Sequence, residues 1–231
     1  MNAAQLPLVT QDEKSLALAT RYAPIILADA REPFQLVAAG YTIIDFESAS
    51  PSFKRRIEWG SAGYPAMRAI EYALWWDWDI GHLYELEHVW TFVGTSGEVV
   101  AVEASWHGMF GPAEGVTFEE THPILFAQPG KHAMAASSEP FNEIRAWAEQ
   151  EAGPDAGKDG LLENEMFRNA LHKTPKADAK VRAYLKARAF TPTWNFTKRM
   201  PVTRDMLVPW NAMRDWIPTR IAWWLTQIQD F

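Results

Sequence analysis

The chain of 231 residues contains no cysteine. A disulfide framework, a thiolate metal site and a cysteine nucleophile are therefore excluded, and the absence favours a reducing compartment. No stretch approaches the roughly 20 uninterrupted apolar residues of a membrane span. The N-terminus lacks the basic segment and the apolar run of a signal peptide. We therefore expect no transmembrane segment and a cytoplasmic protein, or a secreted one if a signal peptide has been removed.

Basic residues are scarce in the first part of the chain. Residues 1–135 hold 8 Lys and Arg against 17 Asp and Glu, whereas residues 136–231 hold 14 against 12. An acidic surface argues against nucleic-acid binding and suits a cation, although a solvated acidic face is the simpler interpretation. The 12 tryptophans are typical both of a buried core and of sugar-binding surfaces.

Short apolar runs separated by turn residues dominate the first part of the chain. They follow a helix predicted at Asp12–Tyr22, which Pro24 ends. Strands at this spacing favour an antiparallel β-sandwich. The predicted strands are Ile25–Ala28, Tyr41–Glu47, Arg55–Trp59, Arg68–Asp77, Glu85–Val93, Glu98–Trp106 and Pro123–Ala127.

Helical spacing replaces this pattern after about Ser138. The apolar stripe of the tail fits a helix docked on the core, or a membrane-surface or partner-binding face. The predicted fold class is mostly β with α, in a single domain at residues 1–231. An antiparallel β-sandwich core occupies residues 24–136, and a helical C-terminal extension at residues 137–231 packs on it. The predicted helices are Phe141–Glu151, Gly160–Leu171, Asp178–Phe190 and the tail Leu207–Phe231, in which Pro218 begins a second helical piece.

Five of the six histidines lie between His82 and His132, among several acidic residues. The densest part, Tyr72–Trp90, is also the most aromatic stretch of the chain. Ionisable side chains are costly to bury unless they form pairs or bind a metal. The pattern therefore indicates a divalent-metal site or an acid–base site.

Alternation along the strands predicts which acidic side chains share a face. Glu85 and Glu87 point the same way, and a bound cation or protonation of one carboxylate would relieve their repulsion. Oxygen ligands favour calcium, magnesium or manganese, whereas a histidine ligand shifts the choice toward manganese, iron or zinc. The alternative is a solvated face with scattered histidines. If the strands are neighbours, one concave face gathers Glu71, Asp77, Asp79, Glu85, Glu87, Glu103 and His107, with His82 on the connecting loop.

The run Tyr72-Ala-Leu-Trp-Trp-Asp-Trp-Asp79, followed by Gly81-His-Leu-Tyr-Glu-Leu-Glu87, resembles the core of the necrosis- and ethylene-inducing-peptide-like proteins. The hallmark of that family is Gly-His-Arg-His-Asp-Trp-Glu after an aromatic strand that ends in Asp. The chain is also similar to a related vacuolar-protein-sorting-like family of unknown activity, which shares patterns such as His107-Gly108 and Gly130-Lys131-His132. The resemblance covers Tyr22 to Ala136.

The resemblance implies a divalent cation bound inside a β-sandwich. By position, the ligands would be Asp79, His82, Glu85 and Glu87, with Asp77 as the nearest substitute. The chain departs from the family pattern where Glu85 replaces an Asp, and where Tyr84 and Leu86 replace the second His and the Trp. Toxicity toward plant membranes does not follow from the resemblance.

Two functions remain open at this stage. The first is a divalent-metal-dependent hydrolase or lyase that acts on a carbohydrate or another polar small molecule. The alternative is a non-catalytic module that binds a glycan or a lipid headgroup through the metal, and a third interpretation has the metal only pinning strands. In each case we expect a small-molecule or glycan ligand, and a homo-oligomer is compatible with the sequence.

For the enzyme, His107 and Glu103 are the predicted catalytic residues. Because Gly108 lets the chain bend away, we expect the imidazole of His107 to face a pocket within one water of the His82–Glu87 cluster. The predicted substrate-binding residues are Trp75, Trp78, Trp106 and His132.

Overall fold

The computed structural model describes residues 5–162 and 173–229. Strands make up most of the first part of the chain, and further strands lie between residues 198 and 209. Their bounds are β1 Ile25–Ala28, β2 Leu36–Ile44, β3 Ser48–Ala49, β4 Arg56–Ile57, β5 Arg68–Trp78, β6 Leu83–Val93, β7 Val99–Trp106, β8 Met109–Pro112, β9 Thr117–Glu119, β10 His122–Ala127, β11 Met134–Ala135, β12 Lys198–Pro201 and β13 Leu207–Pro209.

Two mixed sheets share one apolar core. The larger has the order β13-β2-β5-β6-β7-β8; the smaller has the order β11-β10-β1-β12, with β9 also paired to β10. Most pairs are antiparallel, but β1 runs parallel to β10 and β13 runs parallel to β2. The predicted fold class, a mostly β sandwich with a helical C-terminal part, is confirmed. Strands β12 and β13 were not predicted from the sequence. They come from the C-terminal part and pair with β1 and β2.

Among the described residues, the α-helices are α1 Glu13–Arg21, α2 Arg145–Ala152, α3 Pro175–Lys186 and α4 Trp210–Gln227, and short 3-10 helices span Glu139–Asn142 and Arg204–Met206. Caps explain two of the starts: the side chain of Asp12 accepts a hydrogen bond from the backbone of Ser15, and Thr174 does the same for Ala177. The helix predicted at Gly160–Leu171 falls mainly on residues 163–172, outside the described part. Within the described residues, no helix is long and apolar enough to cross a membrane.

The prediction that Pro218 begins a second helical piece is wrong, because α4 continues through it. An internal proline costs a helix about 3 kcal/mol. Burial of Trp216, Ile217 and Ile221 in the same core, on both sides of Pro218, offsets this cost. The apolar stripe of the tail is therefore a docked face, as one of the two interpretations of the sequence expected.

The larger sheet is covered on both faces. One face packs in the core between the sheets, and the other carries a second cluster in which Phe53, Trp59 and Tyr64 pack against Trp90 and Phe92. As a result, most of the acidic residues of β5–β7 are buried, and they do not form a solvated face. The buried acidic side chains are Glu71, Asp77, Asp79, Glu87 and Glu103.

Candidate functional site

The turn between β5 and β6 forms the centre of the site. The backbone N–H of Asp79 donates to the carbonyl of His82, and that of Gly81 donates to Asp79 Oδ1 at 2.6 Å. A loop from the C-terminal part braces this turn, because Gly160 donates to the Gly81 carbonyl and accepts from Leu83. A side chain at Gly81 would displace the carboxylate of Asp159, since its Cβ would lie 2.7 Å from Asp159 Oδ2.

Three of the four predicted metal ligands converge. Asp79, His82 and Glu85 each offer a ligand atom, and these atoms all lie within 4.8 Å of one another. His82 Nε2 is 3.7 Å from Asp79 Oδ1 and 3.9 Å from Glu85 Oε2. These distances are too long for hydrogen bonds. They match the spacing of about 3 to 4 Å expected between two ligands that each lie about 2.1–2.4 Å from one ion.

Two atoms of this cluster are buried without a hydrogen-bond partner among the described residues. They are Asp79 Oδ2 and His82 Nδ1. Leaving a buried polar atom unpaired costs about 1–3 kcal/mol, and more for a charged group. Glu85 also keeps one oxygen toward His82, since its other oxygen, Oε1, accepts from the Leu86 backbone. The two unpaired atoms differ from the atoms whose separations are given above, Asp79 Oδ1 and His82 Nε2. Two carboxylates and an imidazole at those separations fit a divalent cation.

Lys131 is the residue of this site that the sequence interpretation missed. Its Nζ lies 2.8 Å from Asp79 Oδ1, and the side chain is buried. Burial raises the pKa of Asp79, but the nearby charges of His82 and Lys131 outweigh it, and the pKa is lowered overall. Burial in turn lowers the pKa of Lys131, but Asp79 outweighs that effect and the pKa is raised. The cluster therefore contains its own cation, and the only signal for it was the Gly130-Lys131-His132 pattern.

Glu87, the fourth predicted ligand, lies next to this group but outside the 4.8 Å set. The hydroxyl of Ser105 donates to its Oε2, and the backbone N–H of His107 donates to its Oε1 at 3.1 Å. Burial, and then the neighbouring carboxyl of Glu85, raise the pKa of Glu87 well above its usual range. Burial also raises the pKa of Glu85, although the charge of His82 opposes the shift.

His107 faces the same cavity as the cluster. This cavity has a volume of about 620 Å³, and its walls include His82, Glu85, Glu87, Lys131 and His107. His107 itself is exposed and has a positive φ of 48°, followed by Gly108 at 78°. Its Nε2 lies 3.0 Å from Gln128 Oε1. His107 therefore lines this cavity, but its ring contacts Gln128 and Trp147, which line a neighbouring cavity. Its position within one water of the His82–Glu87 cluster stays a prediction.

The concave face that the sequence predicted is only partly formed, because the register divides its members. Leu74 pairs with Glu87 and Trp76 with Glu85, so even positions of β5 share a face with odd positions of β6. Glu71 and Glu103 both lie opposite Trp90 on the other face. Alternation within each strand could not reveal this, since it leaves the pairing between strands open.

The acidic residues of that other face have partners of their own. Glu103, predicted as catalytic, forms an ion pair with Arg55 at 2.5 Å and accepts a hydrogen bond from the Tyr64 hydroxyl. Burial and this carboxylate together raise the pKa of Tyr64 to about 12. Asp77, the predicted substitute ligand, forms a bidentate pair with Arg220 of α4. Neither carboxylate reaches the cluster.

The residues predicted to bind substrate are mostly core residues. Trp75 stacks on Tyr84, and Trp78 stacks on Tyr184. His132 is buried against Trp76, with ring centroids 4.6 Å apart, and its Nε2 lies 3.3 Å from Glu32. Trp106 is 40% exposed and lines a neighbouring cavity together with His107.

Comparisons with known proteins give similarity to solved structures. The scan of protein-family models gave no match, nor did the search of curated proteins. The chain is similar to NLPPya in complex with glucosamine, at 16% identity over 58% of this chain and 74% of that one, with a TM-score of 0.37. It is similar to NLPPya in complex with mannosamine at 17% identity over 59% of this chain and 77% of that one, with a TM-score of 0.38. It is also similar to a structure described as a toxin fold for microbial attack and plant defense, at 16% identity over 59% of this chain and 77% of that one, with a TM-score of 0.38. The chain is thus similar to these solved structures over part of its length.

Proposed function

We propose that this protein binds a carbohydrate, or a similar polyhydroxyl molecule, through a divalent cation held by Asp79, His82 and Glu85. One observation carries the proposal. The ligand atoms of these three residues lie within 4.8 Å of one another, and one oxygen of the buried Asp79 has no partner among the described residues. A cation would compensate the charges of the two carboxylates, and bidentate binding by Asp79 would give it the unpaired oxygen as well.

The donor set narrows the choice of ion. Two carboxylates and one imidazole suit manganese, calcium or magnesium, and zinc or iron is also compatible. Glu87 could be recruited as a fourth ligand if the cation displaced the hydroxyl of Ser105. When bound, the ion would supply a Lewis-acidic centre that can coordinate hydroxyl oxygens of a ligand.

The cavity beside the cluster suits a small polar ligand. Its volume of about 620 Å³ is in the range of roughly 300–1,000 Å³ for small-molecule sites. Lys54, Lys131 and His107 on its walls can hydrogen-bond to sugar hydroxyls. Glucosamine and mannosamine, the sugars in two of the similar structures, are the first ligands to test.

A second candidate function is the hydrolase or lyase. It is favoured by the exposed imidazole of His107, which lines the same cavity and whose backbone N–H binds Glu87. Once turned from Gln128 toward this cavity, the imidazole could accept or donate a proton at a ligand held there. Glu103 takes no part in this candidate function, because it pairs with Arg55 on the opposite sheet face.

Calorimetry on the purified protein, first stripped with a chelator, tests the proposal. Wild type should bind one divalent cation, and His82→Ala or Glu85→Gln should lose most of that affinity. Glu143→Gln, at an exposed position of the C-terminal part, is the matched control and should bind as wild type does. If wild type binds none of the five cations, the proposal fails.

His107→Gln separates the two candidates, since a binding module keeps its sugar affinity whereas an enzyme loses turnover with its metal retained.

A further inference from the structure

A second cavity lies next to the acidic one. It has a volume of about 500 Å³ and lies between the β7–β8 edge of the larger sheet and the segment that contains the 3-10 helix at Glu139–Asn142 and α2. Its walls are mainly apolar and include Trp106, Pro112, Met134, Phe141, Ile144 and Trp147. Because its volume is that of a small-molecule site, it is too small for a docked helix.

His107 joins the two cavities. It lines both of them, its backbone N–H binds Glu87 in the acidic cavity, and its ring binds Gln128 in the apolar one. His107 is therefore the lining residue that the polar chamber and the apolar chamber share. A ligand with a polar part and an apolar part can span the two around this imidazole.

Flat rings define the character of the apolar chamber. Trp106 is 40% exposed and Trp147 is 43% exposed, so two large aromatic surfaces remain wet in the absence of a ligand. Trp147 also approaches His107 edge-on, with centroids 5.7 Å apart. Such walls favour an aromatic ring, which stacks or packs edge-to-face on them.

Two polar groups restrict the occupant further. Glu114 lines the chamber, so an anionic group is disfavoured there. Gln128 is 1% exposed, and its Nε2 has no partner among the described residues. A hydrogen-bond acceptor on the ligand, such as a glycosidic or phenolic oxygen, would provide that partner.

We propose that the apolar cavity binds the aromatic aglycone of a glycoside whose sugar occupies the acidic cavity. The inference rests on the proposed function for the sugar, but the apolar cavity can be tested separately. Phenyl β-glucoside and methyl β-glucoside carry the same sugar and differ only in the ring, so comparing their affinities isolates the apolar chamber.

The experiment measures both glucosides by calorimetry, with a saturating divalent cation. Wild type should bind the phenyl glucoside about tenfold or more tightly than the methyl glucoside, because burial of a ring contributes on that order. Trp147→Ala should remove this preference. Phe118→Ala is the control, since Phe118 is equally exposed at 43% and lines neither cavity, and it should keep the preference. Glu85→Gln should weaken both glucosides equally.

Equal binding of the two glucosides by wild type, or a preference that survives Trp147→Ala, would overturn the inference. So would a wild-type dimer that Trp147→Ala dissociates, since the occupant would then be a second copy of the chain. If neither glucoside binds, calorimetry with phenol alone tests whether the apolar cavity binds an aromatic ring. Phenol binding that depends on Trp147 supports the aromatic chamber and refutes only the sugar site, and no phenol binding overturns the chamber as well.

Discussion

At the scale of single residues, the main competition is between an ammonium and a metal ion. Lys131 Nζ lies 2.8 Å from Asp79 Oδ1. The other oxygen of this carboxylate, Oδ2, has no hydrogen-bond partner among the described residues. A divalent cation bound at Asp79, His82 and Glu85 would lie close to this ammonium and be repelled by it. Lys131 therefore sets how much negative charge the cluster presents to an ion.

Replacing Lys131 by methionine separates the two cations. We expect Lys131→Met to lose about 3–5 kcal/mol of stability in a chelator, because it leaves Asp79 buried without its ion pair. Its affinity for the divalent ion should rise by about an order of magnitude, since removal of the repulsion is worth on the order of 1–2 kcal/mol. Adding the ion should restore the lost stability, and thermal unfolding with and without the ion measures this. Lys54→Met, on the wall of the same cavity, is the control, and equal ion affinity in all three proteins would contradict the prediction.

Glu87 gives a pH dependence. The pKa of this buried carboxyl is raised well above its ordinary value in the folded protein, by burial and by Glu85. Below the ordinary value it is protonated in both the folded and the unfolded chain, and its contribution to stability is fully present. As the pH rises toward the folded-state pKa, the unfolded chain ionises first and that contribution is lost.

We therefore predict that Glu87→Gln, which mimics the protonated carboxyl, is more stable than wild type in a chelator, by a margin that grows as the pH rises. Urea unfolding at several pH values measures this margin. Glu98→Gln is the control with the opposite sign, because hydrogen bonds from Ser96 lower the pKa of this exposed residue. This variant should not be more stable than wild type as the pH rises. A margin for Glu87→Gln that does not change with pH would contradict a raised pKa of Glu87 in the folded protein.

How much of the site the sequence could predict depends on the kind of information needed. Asp79, His82 and Glu85 lie within seven residues of one another, and a local motif identified them. Lys131 lies 52 positions from Asp79, and no local pattern connects the two. Glu71 and Glu103 were assigned to the wrong face, because the register between strands depends on packing of the whole sheet.

At the scale of elements, helix α4 fixes the end of β5. Arg220 makes a bidentate pair with Asp77, at 2.7 and 2.9 Å, two residues before Asp79. Its guanidinium also lies 4.4 Å from the ring centre of Trp223. Because both side chains of the pair are buried, the helix is attached to the strand by charge as well as by apolar packing.

Breaking this pair should destabilise the protein. We expect Arg220→Met to lower the free energy of unfolding by about 3–5 kcal/mol, since it removes the counter-ion of the buried Asp77 carboxylate and leaves it the hydrogen bond from Trp75 Nε1. The double variant Asp77→Asn with Arg220→Met should cost less than the sum of the two single changes. Urea unfolding of the four proteins measures the difference. Additive effects would show that the two side chains act independently.

The elements also differ in how well the sequence revealed them. β1 was predicted to the residue, and β5, β6, β7 and β10 to within two residues at each end, because each carries a clear run of apolar residues between turn residues. β2 was predicted at Tyr41–Glu47 but spans Leu36–Ile44, because Val37-Ala-Ala-Gly40 lacks the alternation of apolar and polar residues that indicates a strand. The strands β12 and β13 have four and three residues, too few to give a period.

At the scale of the whole molecule, the uneven charge of the chain has a structural counterpart. Ion pairs join acidic residues of the first part to basic residues of the second part, at Asp77–Arg220, Glu13–Arg204 and Glu119–Arg199. The two exposed pairs contribute little to stability. They nonetheless show that part of the acidic excess of residues 1–135 is neutralised by the C-terminal part of the chain.

The same contacts predict that the sandwich core does not fold without its C-terminal extension. β12 pairs with β1, β13 pairs with β2, and the loop at Gly160 braces the turn that carries Asp79. A fragment of residues 1–136 would therefore expose two sheet edges and the apolar surface beneath α4. We expect it to show no cooperative thermal transition by circular dichroism, whereas co-expression with residues 137–231 should restore the transition and divalent-ion binding. A fragment of residues 1–136 that unfolds cooperatively and binds the ion would establish the sandwich as an independent domain.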